Sequence, residues 1–128
     1  MESVIIIAPA EYDPKLGTRL EQVGPVMLGA EGVFVLSDGK TRVYVGRDDS
    51  VCNDFEPDHL ALIKTKIPDP SFYFVDFTSI VLCRRVIEAV ANDSMLLIDN
   101  DHGKLLPGPE FVRMLRDRPD WDWRLDRP

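Results

Sequence analysis

Cysteine, histidine and long apolar runs are scarce in this chain, and each shortage removes a class of protein. Only two cysteines, Cys52 and Cys83, occur in 128 residues. That is too few for a disulfide-built scaffold, and reduced thiols are the expectation. The two histidines, His59 and His102, exclude a histidine-rich zinc centre. There is no Gly-x-Ser-x-Gly elbow and no glycine-rich loop ahead of a Lys-Ser or Lys-Thr pair. Neither the hydrolase nucleophile turn nor the phosphate cradle is therefore written here. Gly29, Gly32 and Gly39 do not make a dinucleotide fingerprint. No apolar stretch approaches the roughly 20 residues of a membrane-spanning helix. Val4 to Ala8 is too short for the core of a secretory signal. A cytoplasmic location with no membrane partner is the expectation. Positive charge is also short: 15 Lys and Arg face 22 Asp and Glu, for a formal net charge of -7. Such a surface repels phosphate backbones, so nucleic acid is not an expected ligand. It speeds association with a basic partner instead.

What is present is the pattern of an ordinary globular protein. Hydrophobic residues make up 45% of the chain, enough to bury a core and to argue against disorder. The length suits one domain over residues 1–128, and there is no internal repeat or low-complexity tract. The clearest stretch runs from Phe72 to Asp101 and reads strand, helix, strand. Phe72 to Phe77 is aromatic and β-branched apart from Asp76. Ile80, Cys83, Val86, Ile87 and Val90 recur at helical steps behind a Thr78 or Ser79 cap. Cys83 on that apolar face reads as a small buried hydrophobe. Asn92 and Asp93 suit a helix stop, and Met95 to Ile98 suits a short buried strand. If the two strands are parallel neighbours, both end at one edge, with Asp76 on one and Asp99 and Asp101 on the other. In open α/β sheets that edge is where ligands bind.

The remainder is read in the same way. Val4 to Ile7 is a β-branched strand. Tyr12 to Gly24 is a short helix, with Asp13 able to cap it and Pro14 in its first turn. Pro25 to Gly32 is a loop or a ragged strand. Val33 to Leu36 and Val43 to Val45 flank Asp38-Gly39 as a hairpin. Pro57 to Lys66 fits a helix better than a strand, because Pro57 suits a first turn. Pro109 and Glu110 open a last helix that Pro119 closes. The tail alternates Trp121, Trp123 and Leu125 with polar residues, so an extended segment docking its tryptophans in the core is expected. An interface anchor at Trp121–Arg124 is the alternative.

Two acidic stretches are candidate sites. Asp48, Asp49, Asp54, Glu56 and Asp58 crowd the loop from Arg47 to Asp58. That loop is a solvated connection, a cation site or a partner-binding surface; it lacks the central glycine of an EF-hand loop. Asp99, Asn100, Asp101 and His102 form either a polar turn or, with Asp76, a seat for a hard cation to which His102 adds a nitrogen. His59, at a helix start, reads as a surface residue. No catalytic constellation and no cofactor are expected.

The segment DNDHGKLLPGPEFVRMLRDRPDWDWR, residues 99–124, resembles the endings of small bacterial proteins that look like immunity partners of secreted antibacterial toxins. The likeness covers the C-terminal third and carries no diagnostic motif. It implies a small, acidic, non-catalytic chain that neutralises a toxin by direct contact. No binding residue transfers by position.

The resulting expectation is one α+β domain with a mixed sheet of about five strands, ordered β-α-β-β-α-β-α-β-α, and helices largely on one face. Its expected role is a protein-binding inhibitor of a basic toxin, contacting it through Asp48, Asp49, Asp54, Glu56 and Asp58. The alternative is a metal-dependent enzyme or ligand-binding domain using Asp76, Asp99, Asp101 and His102.

Overall fold

The first strand of the chain holds the sheet together. In the computed structural model, which describes residues 1–126, β1 (Glu2–Ala8) pairs antiparallel with β5 (Ser71–Phe77) on one side and β6 (Leu97–Asp99) on the other. Beyond β5 lie β4 (Arg42–Arg47), β3 (Phe34–Ser37) and β2 (Val26–Leu28); beyond β6 lies β7 (Leu105–Pro107). The order is β2-β3-β4-β5-β1-β6-β7.

The α+β class is as expected, but three details differ. Among the described residues the sheet has seven strands, not about five, and every neighbouring pair in it is antiparallel, so it is not mixed. β5 and β6 are not neighbours, because β1 lies between them. Both oppose β1, so they still run in the same direction and end at the same edge. The two added strands are three residues long: β2 lies in the stretch read as a loop or a ragged strand, and only β7 was not foreseen. β2 follows Pro25, and β7 ends in Pro107, a residue that only an edge strand tolerates.

Alternation on the two central strands divides the core. Val4, Ile6 and Ala8 of β1 and Tyr73, Val75 and Phe77 of β5 face one side. That side is covered by α1 (Asp13–Glu21), α3 (Ile80–Val90) and α4 (Gly108–Asp117). Ile5, Ile7, Phe72 and Leu97 face the other side, under Ile63 and Ile67 of α2 (Pro57–Lys66). The helices are thus largely on one face, and α2 closes half of the second.

Local chemistry explains the ends of these elements. The Ser79 hydroxyl accepts from the Val81 N–H and caps α3. Asp13 does not cap α1. Tyr12, at that position, already has helical backbone angles as part of a 3-10 turn, Ala10–Tyr12. The Asp13 carboxylate instead accepts from the Tyr73 hydroxyl at 2.7 Å and ties α1 to β5. In the hairpin, Asp38 accepts from the N–H groups of Lys40 and Thr41, and Gly39 takes a φ of 93°. The tail is not extended. It turns as a 3-10 helix, Trp123–Leu125, and buries both Trp121 and Trp123 against Phe111. Arg84 on α3 holds it there, donating to the carbonyls of Leu115 and Trp121 at 2.7 Å each. No helix among the described residues is long and apolar enough to cross a membrane.

Candidate functional site

The edge at which β5 and β6 end is also where β1 begins. Asp76 lies directly opposite Ser3 in the ladder, and the Ser3 hydroxyl donates to it. Both side chains point to the face that α2 half covers, because Asp76 shares the parity of Phe72 and Phe74. Asp99 shares the parity of Leu97 and emerges on the same face, one strand away. The segment that follows β4 comes across this end of the sheet. It is a 3-10 helix, Asp49–Asp54, started by Asp48, whose carboxylate accepts from the Ser50 N–H.

Together these elements enclose a cleft of about 530 Å³. Its acids are Asp48, Asp54 and Glu56 from the loop, Asp76 from β5, Asp99 from β6 and Asp101 from the turn beyond; His59 on α2 adds an imidazole. Ile5, Val51, Phe55 and Phe74 supply the apolar wall. Among the described residues no Lys or Arg lines it. The two acidic stretches that the sequence leaves separate therefore share one surface. Asp49 and Asp58 do not line it. Asp49 accepts from the Arg47 guanidinium and the Phe72 N–H, a bond that seats the loop on β5. Asp58 lies exposed in the first turn of α2. His102 does not line the cleft either, although Gly103 beside it does.

Asp99 and Asp101 reach the cleft by different routes. The strand ends at Asp99, and Asp101 follows with a left-handed backbone, φ 66°. They are not alternate residues of one strand, as the spacing suggests. Asn100, between them, was named from the sequence only as part of a polar turn, and it is the residue that shapes that turn. It is almost fully buried. Its Oδ1 accepts from the N–H groups of His102 and Lys104, and its Nδ2 donates to the carbonyls of Trp123 and Asp126. The docked tail thus fixes the acidic turn from behind. The only sequence signal for this was an Asn at a strand end.

The electrostatics of the carboxylates differ. Asp49 is held below the usual carboxylate range, chiefly by its bond from Arg47. Asp99, only 5% exposed, is pushed above that range by burial; the Asp101 N–H donated to its Oδ1 offsets part of the rise. Asp101 is raised as well, first by burial, with the charges of Asp54 and Asp76 adding to it and His102 opposing it. Among the described residues no three His, Cys, Asp or Glu side chains converge closely enough to hold a metal ion. Cys83 is fully buried, and its thiol is pushed up by desolvation, which leaves it inert.

A second cleft of about 650 Å³ lies between Pro9, Lys66 to Asp69 and Ser94 to Leu97. It is more apolar and its charges are mixed, with Lys66 near Glu11 and Asp69.

No protein-family model matches the chain, and neither does any curated protein or solved structure.

Proposed function

We propose that this chain is a non-enzymatic protein-binding inhibitor, of the immunity type, that neutralises a basic bacterial toxin by direct contact. The observation that carries the reading is the one-signed lining of the cleft: among the described residues, six carboxylates, one imidazole and no Lys or Arg. Uncompensated negative charge set on an apolar wall draws a basic surface in quickly and rewards its docking. Asp48, Asp54 and Glu56 form the outer contact, and Asp76, Asp99 and Asp101 form the deeper one. The test is growth rescue. Co-expression with a toxin encoded beside this gene restores growth; a variant carrying Asp48→Asn, Asp54→Asn and Glu56→Gln together restores much less. Failure of the unaltered chain to rescue removes the reading.

The raised carboxyls of Asp99 and Asp101 in a cleft support a second reading, a small-ligand site with Asp76; its metal-dependent form, with His102, has no three converging ligands among the described residues behind it. Titration calorimetry with magnesium and manganese decides this one. Saturable uptake at millimolar metal supports it, and none removes it.

A further inference from the structure

We propose that the cleft is a seat for a single organic cation on an apolar stem, a guanidinium or primary ammonium, with Asp99 as the anion that receives it. The inference deepens the reading above and rests on it only for where the cation comes from.

The first observation is Asp99 itself. It is 95% buried, lines the cleft, and has one donor, the Asp101 N–H, on its Oδ1. Among the described residues nothing donates to its second oxygen, and no Lys or Arg reaches it. A buried carboxylate without a cation is costly to keep ionised. Elsewhere in this chain the acids of structural importance have partners: Asp49 with Arg47, Asp93 with Arg19, Asp122 with Arg124 and Asp126 with Lys104. The cleft acids stand apart from that habit.

The second observation is the wall. Phe55 and Phe74 line the same space as Asp99, with Ile5 beside them. A hydrated metal ion gains nothing from such a wall, and the side chains do not converge as metal ligands do. A guanidinium gains from both parts. Its plane stacks on an aromatic face, its stem displaces water from apolar carbon, and its N–H fork matches a carboxylate. Asp54, Asp76 and Asp101 around the entrance add attraction without demanding fixed geometry.

The probe is n-butylguanidinium, followed by heteronuclear NMR of the unaltered protein. Expected are saturable shifts at the Gly103 and His59 amides with a millimolar dissociation constant. Binding should weaken at least roughly tenfold in Asp99→Asn and be unchanged in Asp117→Asn, an exposed residue of α4 on the other side of the sheet. A readout that needs no variant is the Asp99 carboxyl carbon. Bound cation stabilises its charged form, so its titration midpoint should fall when the probe is present. An unmoved midpoint, or equal affinity in Asp99→Asn, overturns the proposal. An arginine-containing tripeptide run in parallel separates sources: tighter binding than the free probe assigns the cation to a protein partner, and weaker binding assigns it to a small molecule. Probe binding without growth rescue leaves this site standing and removes the toxin reading. Rescue with no probe binding does the reverse.

Discussion

Asp99 is the residue at which stability and binding should pull in opposite directions. Its carboxyl is raised by burial, so the folded chain holds its proton more tightly than the unfolded chain does. The unfolded group titrates near about 4. Below that value both states are protonated and nothing is lost. As pH rises through the folded value, the cost of a buried charge appears and stability falls. Asp99→Asn removes that charge and keeps an oxygen for the Asp101 N–H. It should therefore raise the melting temperature at neutral pH by on the order of 3 °C. The gain should vanish towards pH 3 to 4, roughly where the ordinary carboxyl titrates. Melting curves of both proteins across that range check it, and an unchanged or lowered melting point at neutral pH would contradict it. Gly108 is sensitive for a steric reason. A Cβ there would stand 2.1 Å from the Ala91 carbonyl oxygen, and backbone cannot swing aside as a side chain can. Gly108→Ala should cost about 2 kcal/mol in a urea titration. Gly46→Ala meets the movable ring of Phe74 instead and should disturb the cleft wall more than the fold.

Among the elements, the tail and α4 share the core with α3 and are tied to it by the hydrogen bonds of Arg84. Its guanidinium serves the carbonyls of Leu115 and Trp121, and a third, longer bond reaches Arg118. These are end groups of α4 and the start of the tail, where carbonyls lack helical partners. Arg84→Met keeps much of the apolar stem and removes the donors. The expected loss is about 2 kcal/mol, with faster hydrogen exchange in the segment around Trp121. Arg84→Lys should not restore it, because one ammonium cannot span carbonyls that a planar fork reaches together. Exchange in that segment unchanged from the wild type would show that the aromatic packing of Trp121 and Trp123 on Phe111 holds the tail unaided. The same tail bonds Asn100, so loosening it should also blur the acidic turn and weaken binding at the cleft.

Taken whole, the molecule carries more negative charge than its own cations answer, and part of the excess is gathered in one place. The cleft brings Asp48, Asp54, Glu56, Asp76, Asp99 and Asp101 to one end of the sheet. Self-repulsion there opposes the folded state and is screened by salt, since the Debye length falls to about 3 Å at molar ionic strength. Added sodium chloride should therefore raise the urea midpoint of the free protein without changing the slope. Association with a basic partner should show the opposite dependence, with an on-rate that falls as salt rises. A free-protein midpoint that drops with salt would mean that attractive pairs such as Arg19–Asp93 and Lys104–Asp126 dominate over the cleft.

The sequence alone determined the α+β class, the long strands, the helices α1 to α4 and the hairpin turn. It could do so because periodicity and caps are local: Ser79 before α3, Pro57 opening α2 and Asp38-Gly39 between β3 and β4 act over a few residues. It also showed both acidic stretches, each as an isolated run. The tertiary structure decided what local signals cannot carry. The insertion of β1 between β5 and β6 is a pairing across most of the chain, and it made the sheet antiparallel while still bringing Asp76 and Asp99 to one edge. β2 and β7 exist because a long neighbour offers each of them hydrogen bonds, which three residues cannot earn by propensity. The role of Asn100, the loss of Asp13 as a cap and the merging of two acidic stretches into one cleft all depend on which residues meet across the fold.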